Sequence, residues 1–200
     1  MSKERIIGLE KESKNLETDP QSRSDMLDHS KNYSEDFMSS LDTQKAYQIF
    51  DRSVNDLLDE PIGEQPSGIE EVLQNIQKKV VTPGLNPASG MHFGYIPGGG
   101  LFSSAVGDYL AAVTNRYAGV YYSSHGAVAL ETRLVNWMAE LIGFGEQAGG
   151  FLSSGGSMAN LTAVVTAREE AGLRSKDYEK AVVYVSDQTH HCVDKAFNIA

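Results

Sequence analysis

The sequence predicts an α/β fold, a mostly parallel sheet with flanking helices, preceded by a helical N-terminal segment. Three observations carry this. After Gly149-Gly150 the chain reads as strand, turn, helix and then strand, turn, helix again, the alternation that builds parallel sheets. The second of these strands, Ala181-Val182-Val183-Tyr184-Val185, is a continuous apolar run of the kind buried on both faces. Earlier in the chain, apolar residues recur at helical rather than alternating intervals.

Taken in order, residues 1–35 are polar and charged, with scattered Leu16, Met26 and Leu27. This composition gives no helix or strand signal and reads as a mobile or partner-dependent arm. Between Phe37 and Leu58 the positions Leu41, Tyr47, Ile49, Phe50, Val54, Leu57 and Leu58 predict one amphipathic helix, ended by Pro61 and Gly63. Ser67-Gly68-Ile69-Glu70 predicts a capping box, and Ile69, Val72, Leu73, Ile76 and Val80 form the stripe of the helix it opens. Pro83, Gly84, Pro87 and Gly90 end that helix. The loop from Met91 to Gly100 follows, with four glycines in its last seven residues, a backbone suited to close approach.

Leu101–Thr114 reads as an apolar helix, and Tyr117, Tyr121 and Tyr122 follow around Gly119. Leu130, Leu134, Trp137, Met138 and Leu141 mark another helix. Phe151-Leu152 then leads through a Ser/Gly turn into a helix from Met158 to about Glu170. The last helix begins near His190, with Val193, Ala196 and Phe197 on one face. Two strands are too few to bury both sheet faces, so the sheet reads as incomplete.

Composition narrows the function. Seventeen of the 27 acidic residues, against ten of the 17 basic ones, fall in the first 90 positions, and the net charge is −10. No basic face is offered to a phosphate backbone, which argues against nucleic acid. No secretory leader and no membrane-length apolar run is present, which predicts a cytoplasmic protein without a membrane partner. Cys192 is the sole cysteine, so neither an intrachain disulfide nor a cysteine zinc cluster can form.

The strongest chemical signal is Ser153-Ser154-Gly155-Gly156-Ser157. Two glycines can turn backbone amides toward an anion, the serines offer hydroxyls, and the helix N-terminus adds its dipole. The same residues also suit a tight strand-to-helix turn with a serine cap and no ligand, and the segment by itself does not choose between the two. Walker-type, G-x-G-x-x-G and G-x-S-x-G patterns are absent. Ser186-Asp187-Gln188-Thr189-His190-His191 follows the second strand, where α/β ligands collect. There His190 could stack on a ring or exchange protons, or cap the following helix. Adjacent histidines with no i,i+4 partner make a poor metal site, and none is expected.

Four segments in order resemble the group II pyridoxal-phosphate-dependent amino-acid decarboxylases, which include the aromatic-amino-acid and glutamate decarboxylases. They are His92-Phe93-Gly94-Tyr95-Ile96-Pro97, Ala129-Leu130-Glu131 with Trp137-Met138, Ser153-Ser154-Gly155-Gly156-Ser157-Met158-Ala159-Asn160-Leu161, and Ser186-Asp187-Gln188-Thr189-His190. The resemblance covers about residues 35–200 and implies the first part of a fold-type-I large domain over 91–200, behind a helical segment over 1–90. It implies pyridoxal 5'-phosphate as cofactor, with its phosphate on Gly155, Gly156 and Ser157 and its ring under His190, the candidate catalytic residue. Tyr95 and Pro97 match a loop bordering the side chain of a small amino-acid substrate, and relatives act as homodimers. Two departures stand out. His125 replaces the proline usual before Gly126. The lysine and aspartate with which the family engages the ring lie beyond the position of Ala200 in its pattern, and Lys195 matches no lysine motif.

Overall fold

A computed structural model describes residues 2–49, 57–63, 65–145 and 147–200. They divide into two compact units, Met1–Leu110 and Ala111–Ala200.

In the first unit, the arm without a compositional signal is helical. Helix α1 spans Lys3–Ser13 and is capped by Ser2, whose side chain accepts from the Arg5 amide. Helix α2 spans Pro20–Ser39. Asp19 caps it, with Oδ1 accepting from the amides of Gln21 and Ser22 at 2.9 and 3.1 Å, and Pro20 takes the first-turn place where a missing N–H costs nothing. These local signals outweigh the low apolar content that masked the helices in the sequence.

Over the described residues 40–49 the helix expected over 37–58 does not form, whereas 37–39 and 57–59 are helical. α2 ends at Ser39, and Tyr47–Gln48 (β1) pairs antiparallel with Gly84–Leu85 (β2). Long-range hydrogen bonds hold this arrangement. Ser89 Oγ donates to the Gln44 carbonyl at 2.6 Å, Asn86 Nδ2 to Gln44 Oε1 at 2.6 Å, and the Gly90 amide to the Leu41 carbonyl at 3.1 Å. Such tertiary partners override a 3.6-residue periodicity. The rest of that prediction, over 50–56, lies outside the described residues.

Helix α3 spans Ile69–Ile76 and continues as a π-helical turn over Gln77–Val81. Its N-cap is Gly68, not Ser67, and no side chain caps it. Glu70, expected to reach back to the cap, instead faces His29 of α2, with Oε1 3.6 Å from Nδ1. Tyr33 of α2 donates to Gln77 Oε1 at 2.9 Å, and Gln77 Nε2 donates to Thr82 Oγ1. Helix α4, Phe102–Thr114, forms as predicted.

In the second unit, a 3₁₀ turn at Tyr121–Ser123 leads into α5, His125–Leu141. Helix α6 spans Gly156–Glu170 and α7 spans His191–Ile199. α6 and α7 pack together, burying Cys192 and Ala196 to 6% and 2% exposure. Among the described residues the predicted parallel sheet is missing. Phe151–Leu152 and Ala181–Val185 lie outside any strand, and the one sheet is the short β1–β2 pair. A parallel strand exists only through ladder bonds to a neighbour, and no described segment pairs with 181–185 to supply them. No described helix is long and apolar enough to cross a membrane.

Candidate functional site

The Ser/Gly turn sits where α6 begins. Gly155 is the N-cap residue, with φ +154° and ψ 172°, a conformation essentially restricted to glycine. Gly156 is the first residue of the helix and has no positive φ. A Cβ built on it would meet nothing within 4 Å. Neither backbone strain nor packing within the chain therefore explains glycine at 156.

The first-turn amides of a helix have no acceptor within it. No side chain caps this end, and the first amide past the turn to find a backbone partner is that of Ala159, which donates to the Gly155 carbonyl at 3.1 Å. The N–H groups of Gly156, Ser157 and Met158 are left facing outward. Ser153 is spent on the turn itself, its Oγ donating to the Gly155 carbonyl at 3.1 Å, whereas Ser154 and Ser157 are exposed. Outward amides, hydroxyls and the positive end of a 15-residue helix form a donor set that fits a phosphate group.

His190 caps α7. Its Nδ1 accepts from the Cys192 amide at 3.2 Å, which leaves the neutral ring with its proton on Nε2. The His191 ring leans on it, with centroids 4.1 Å apart and a tilt of 34°. The capping reading thus holds for His190, and its side chain is exposed. Asn160, quoted in the sequence but given no role there, joins the two helix starts. Its Nδ2 donates to the Gly156 carbonyl at 2.9 Å and to Cys192 Sγ at 3.3 Å. The available signal was its spacing of four from Gly156, which places both on one helix face.

The other candidates take no part in these hydrogen bonds. Tyr95 and Pro97 belong to the first unit. Tyr95 is 86% exposed, adopts φ +66°, and stacks on His92 with centroids 6.3 Å apart. His125 opens α5 and meets the Tyr121 ring edge-on at 4.6 Å. The first helical position is the one most tolerant of proline, so histidine there continues the same helix start. Lys195 lies within α7.

At the far end of α6, Glu169 sits between Arg168 Nη2 and Arg174 Nη1 at 2.7 and 3.0 Å. Hydrogen bonding to Arg168, then to Arg174, holds its carboxyl below the usual range. The same contact with Glu169 raises the Arg168 guanidinium. Arg168 Nη1 also donates to the Ala200 carbonyl, which ties the end of α6 to the residue that follows α7.

The fold matches part of two solved plant enzymes. The crystal structure of Rhodiola rosea 4-hydroxyphenylacetaldehyde synthase matches with a TM-score of 0.80 at 20% identity, over 91% of this chain and 41% of that one. Catharanthus roseus tryptophan decarboxylase in complex with L-tryptophan matches with a TM-score of 0.78 at 20% identity, over 91% and 41%. The chain belongs to the pyridoxal-dependent decarboxylase family, whose conserved domain matches residues 52–200. It is 34% identical to the aromatic-L-amino-acid decarboxylase of Bacillus atrophaeus over 166 residues, covering 82% of this chain and 34% of that protein. It is 29% identical to the phenylacetaldehyde synthase of Arabidopsis thaliana over 175 residues, covering 83% and 34%. The chain therefore spans about a third of the length of the curated relatives it matches.

Proposed function

We propose that this chain carries the cofactor-phosphate cradle and the ring-facing histidine of a pyridoxal-phosphate-dependent L-amino-acid decarboxylase. The observation that carries the reading is Gly156, a glycine that neither packing nor backbone strain in the chain requires, at the mouth of three outward amides. In this reading the amides of Gly155 and Gly156 and the amide and hydroxyl of Ser157 bind the phosphate. The His190 ring lies over the pyridine. Because Nδ1 accepts from the Cys192 amide, the N–H at Nε2 is the hydrogen-bond donor that the ring presents. Bound pyridoxal phosphate supplies the electron sink for the carbanion left when carbon dioxide departs.

Tyr95 and Pro97 border the substrate side chain. The names of relatives such as the aromatic-L-amino-acid and tyrosine decarboxylases favour an aromatic amino acid. On the same reading residues 91–200 open the large domain, behind a helical segment over 1–90, and the enzyme works as a cytoplasmic homodimer. Carbon dioxide is the expected product; a keto acid would mark an aminotransferase instead.

Gly156→Ala tests the cradle. The new methyl has room in the chain and replaces a poor helix former, so stability should hold or rise by up to ~0.5 kcal/mol. The preference for pyridoxamine 5'-phosphate over pyridoxamine, read by calorimetry, should fall about tenfold, equivalent to ~1.4 kcal/mol. These probes lack an aldehyde and so avoid random bonding to lysines. An unchanged preference would refute the cradle.

A further inference from the structure

We infer that Asn160 is a positioning residue that couples the phosphate cradle to the His190 ring. The inference rests on the function proposed above and adds to it a residue that touches neither phosphate nor ring.

The connection runs through four groups of the second unit. The Gly156 carbonyl accepts from Asn160 Nδ2 at 2.9 Å, and Cys192 Sγ lies 3.3 Å from the same nitrogen. The Cys192 amide donates to His190 Nδ1 at 3.2 Å. A backbone carbonyl can only accept, which fixes the amide orientation of Asn160 with nitrogen toward Gly156. The NH₂ group has two protons, so one side chain serves both contacts.

The location gives these weak bonds leverage. Cys192 is one of two buried residues in the α6–α7 seam, so its thiol has little freedom to move relative to Asn160. The Gly156 carbonyl shares its peptide plane with the Ser157 N–H, one of the outward amides, so tilting of the held carbonyl tilts that amide. His190 is held by its own cap bond to the residue that Asn160 touches. Displacing the Asn160 amide therefore loosens the grip on phosphate and the placement of the ring together. Displacing only Cys192 Sγ loosens the ring alone.

This asymmetry is the test. Pyridoxamine 5'-phosphate and pyridoxamine are titrated into the full chain, with affinity read by calorimetry, ring placement by the circular dichroism induced in the bound pyridine band, and integrity by the far-ultraviolet helix signal. Asn160→Ala should cut the preference for the phosphorylated probe by about five- to tenfold and diminish the induced signal. Cys192→Ala should diminish the induced signal while leaving the phosphate preference within twofold, and Cys192→Ser, which restores an acceptor, should recover the signal.

A reduced far-ultraviolet helix signal with both ligand readouts unchanged in Asn160→Ala would overturn the inference and leave Asn160 as packing. If Asn160→Ala does not fold, the cysteine pair decides: an induced signal indifferent to Cys192→Ala refutes the coupling. Loss of phosphate preference in Gly156→Ala but not in Asn160→Ala would sink this inference while sparing the cradle. A wild-type chain with no preference for the phosphorylated probe would sink both.

Discussion

The His190 ring serves at once as a helix cap and as an exposed aromatic face, and different substitutions separate the two. His190→Asn retains a good N-cap and removes the ring; His190→Phe keeps a ring and removes the acceptor. Loss of the cap should cost ~1 kcal/mol in His190→Phe and little in His190→Asn, read from urea midpoints. The induced signal of bound pyridoxamine 5'-phosphate should follow the opposite order, surviving in Phe and vanishing in Asn. A signal that tracks stability in both variants would reduce His190 to a cap. Tyr95 raises a related question, since a tyrosine at φ +66° holds a conformation that disfavours side chains with a Cβ. Strain of this kind concentrates at functional loops, and it is one reason to propose Tyr95 for the substrate border.

At the scale of elements, α2 and α3 are joined by the Tyr33 hydroxyl donating to Gln77 in the π-helical turn. Burial pushes the Tyr33 phenol above its usual range, so the folded chain favours the protonated form. The contribution is complete below the ordinary tyrosine value of about 10 and is lost as pH rises through the higher folded value. Urea midpoints between pH 9 and 11.5 should fall more steeply for the wild type than for Tyr33→Phe; equal slopes would show that Tyr33 is not the group responsible. The helices that periodicity marked, α4 to α7, form near their predicted bounds because each carries its own i→i−4 bonds and needs no partner to exist. The strand over 181–185 was equally plain in sequence, yet its bonds must come from another segment. The helix expected across 37–58 gives way over 40–49 for the converse reason: Gln44, Asn86 and Ser89 exchange bonds across more than 40 positions, a relation no window of sequence displays. At the site, the Ser/Gly turn and His190 were legible as residue types beside a strand-to-helix change. The Asn160 link was not, because it depends on how two helices pack.

For the molecule as a whole, the quantity that matters is uncovered apolar surface. The chain exposes 16904 Å², whereas two compact domains of half this length would together expose about 11,000 Å². The excess is larger than that of most obligate interfaces, which bury roughly 2,000–5,000 Å². It includes side chains that the sequence patterns assign to a core: Trp137 on the α5 stripe is 55% exposed, and Tyr184 in the strand-like run is 92% exposed. A domain that has closed its core does not leave such groups in water. The 200-residue chain studied in isolation should therefore bind anilinonaphthalene sulfonate strongly and melt over a broad range, with far-ultraviolet helix signal retained. If second copies supply the cover, dye fluorescence per chain should drop as concentration rises and sedimentation shows association. If further polypeptide of the relatives' kind supplies it, fluorescence per chain should stay high at every concentration. A sharp, cooperative transition with no dye binding would mean that the helices of each unit satisfy their apolar faces unaided, and that the exposed stripe of α5 and the 181–185 run are ordinary surface.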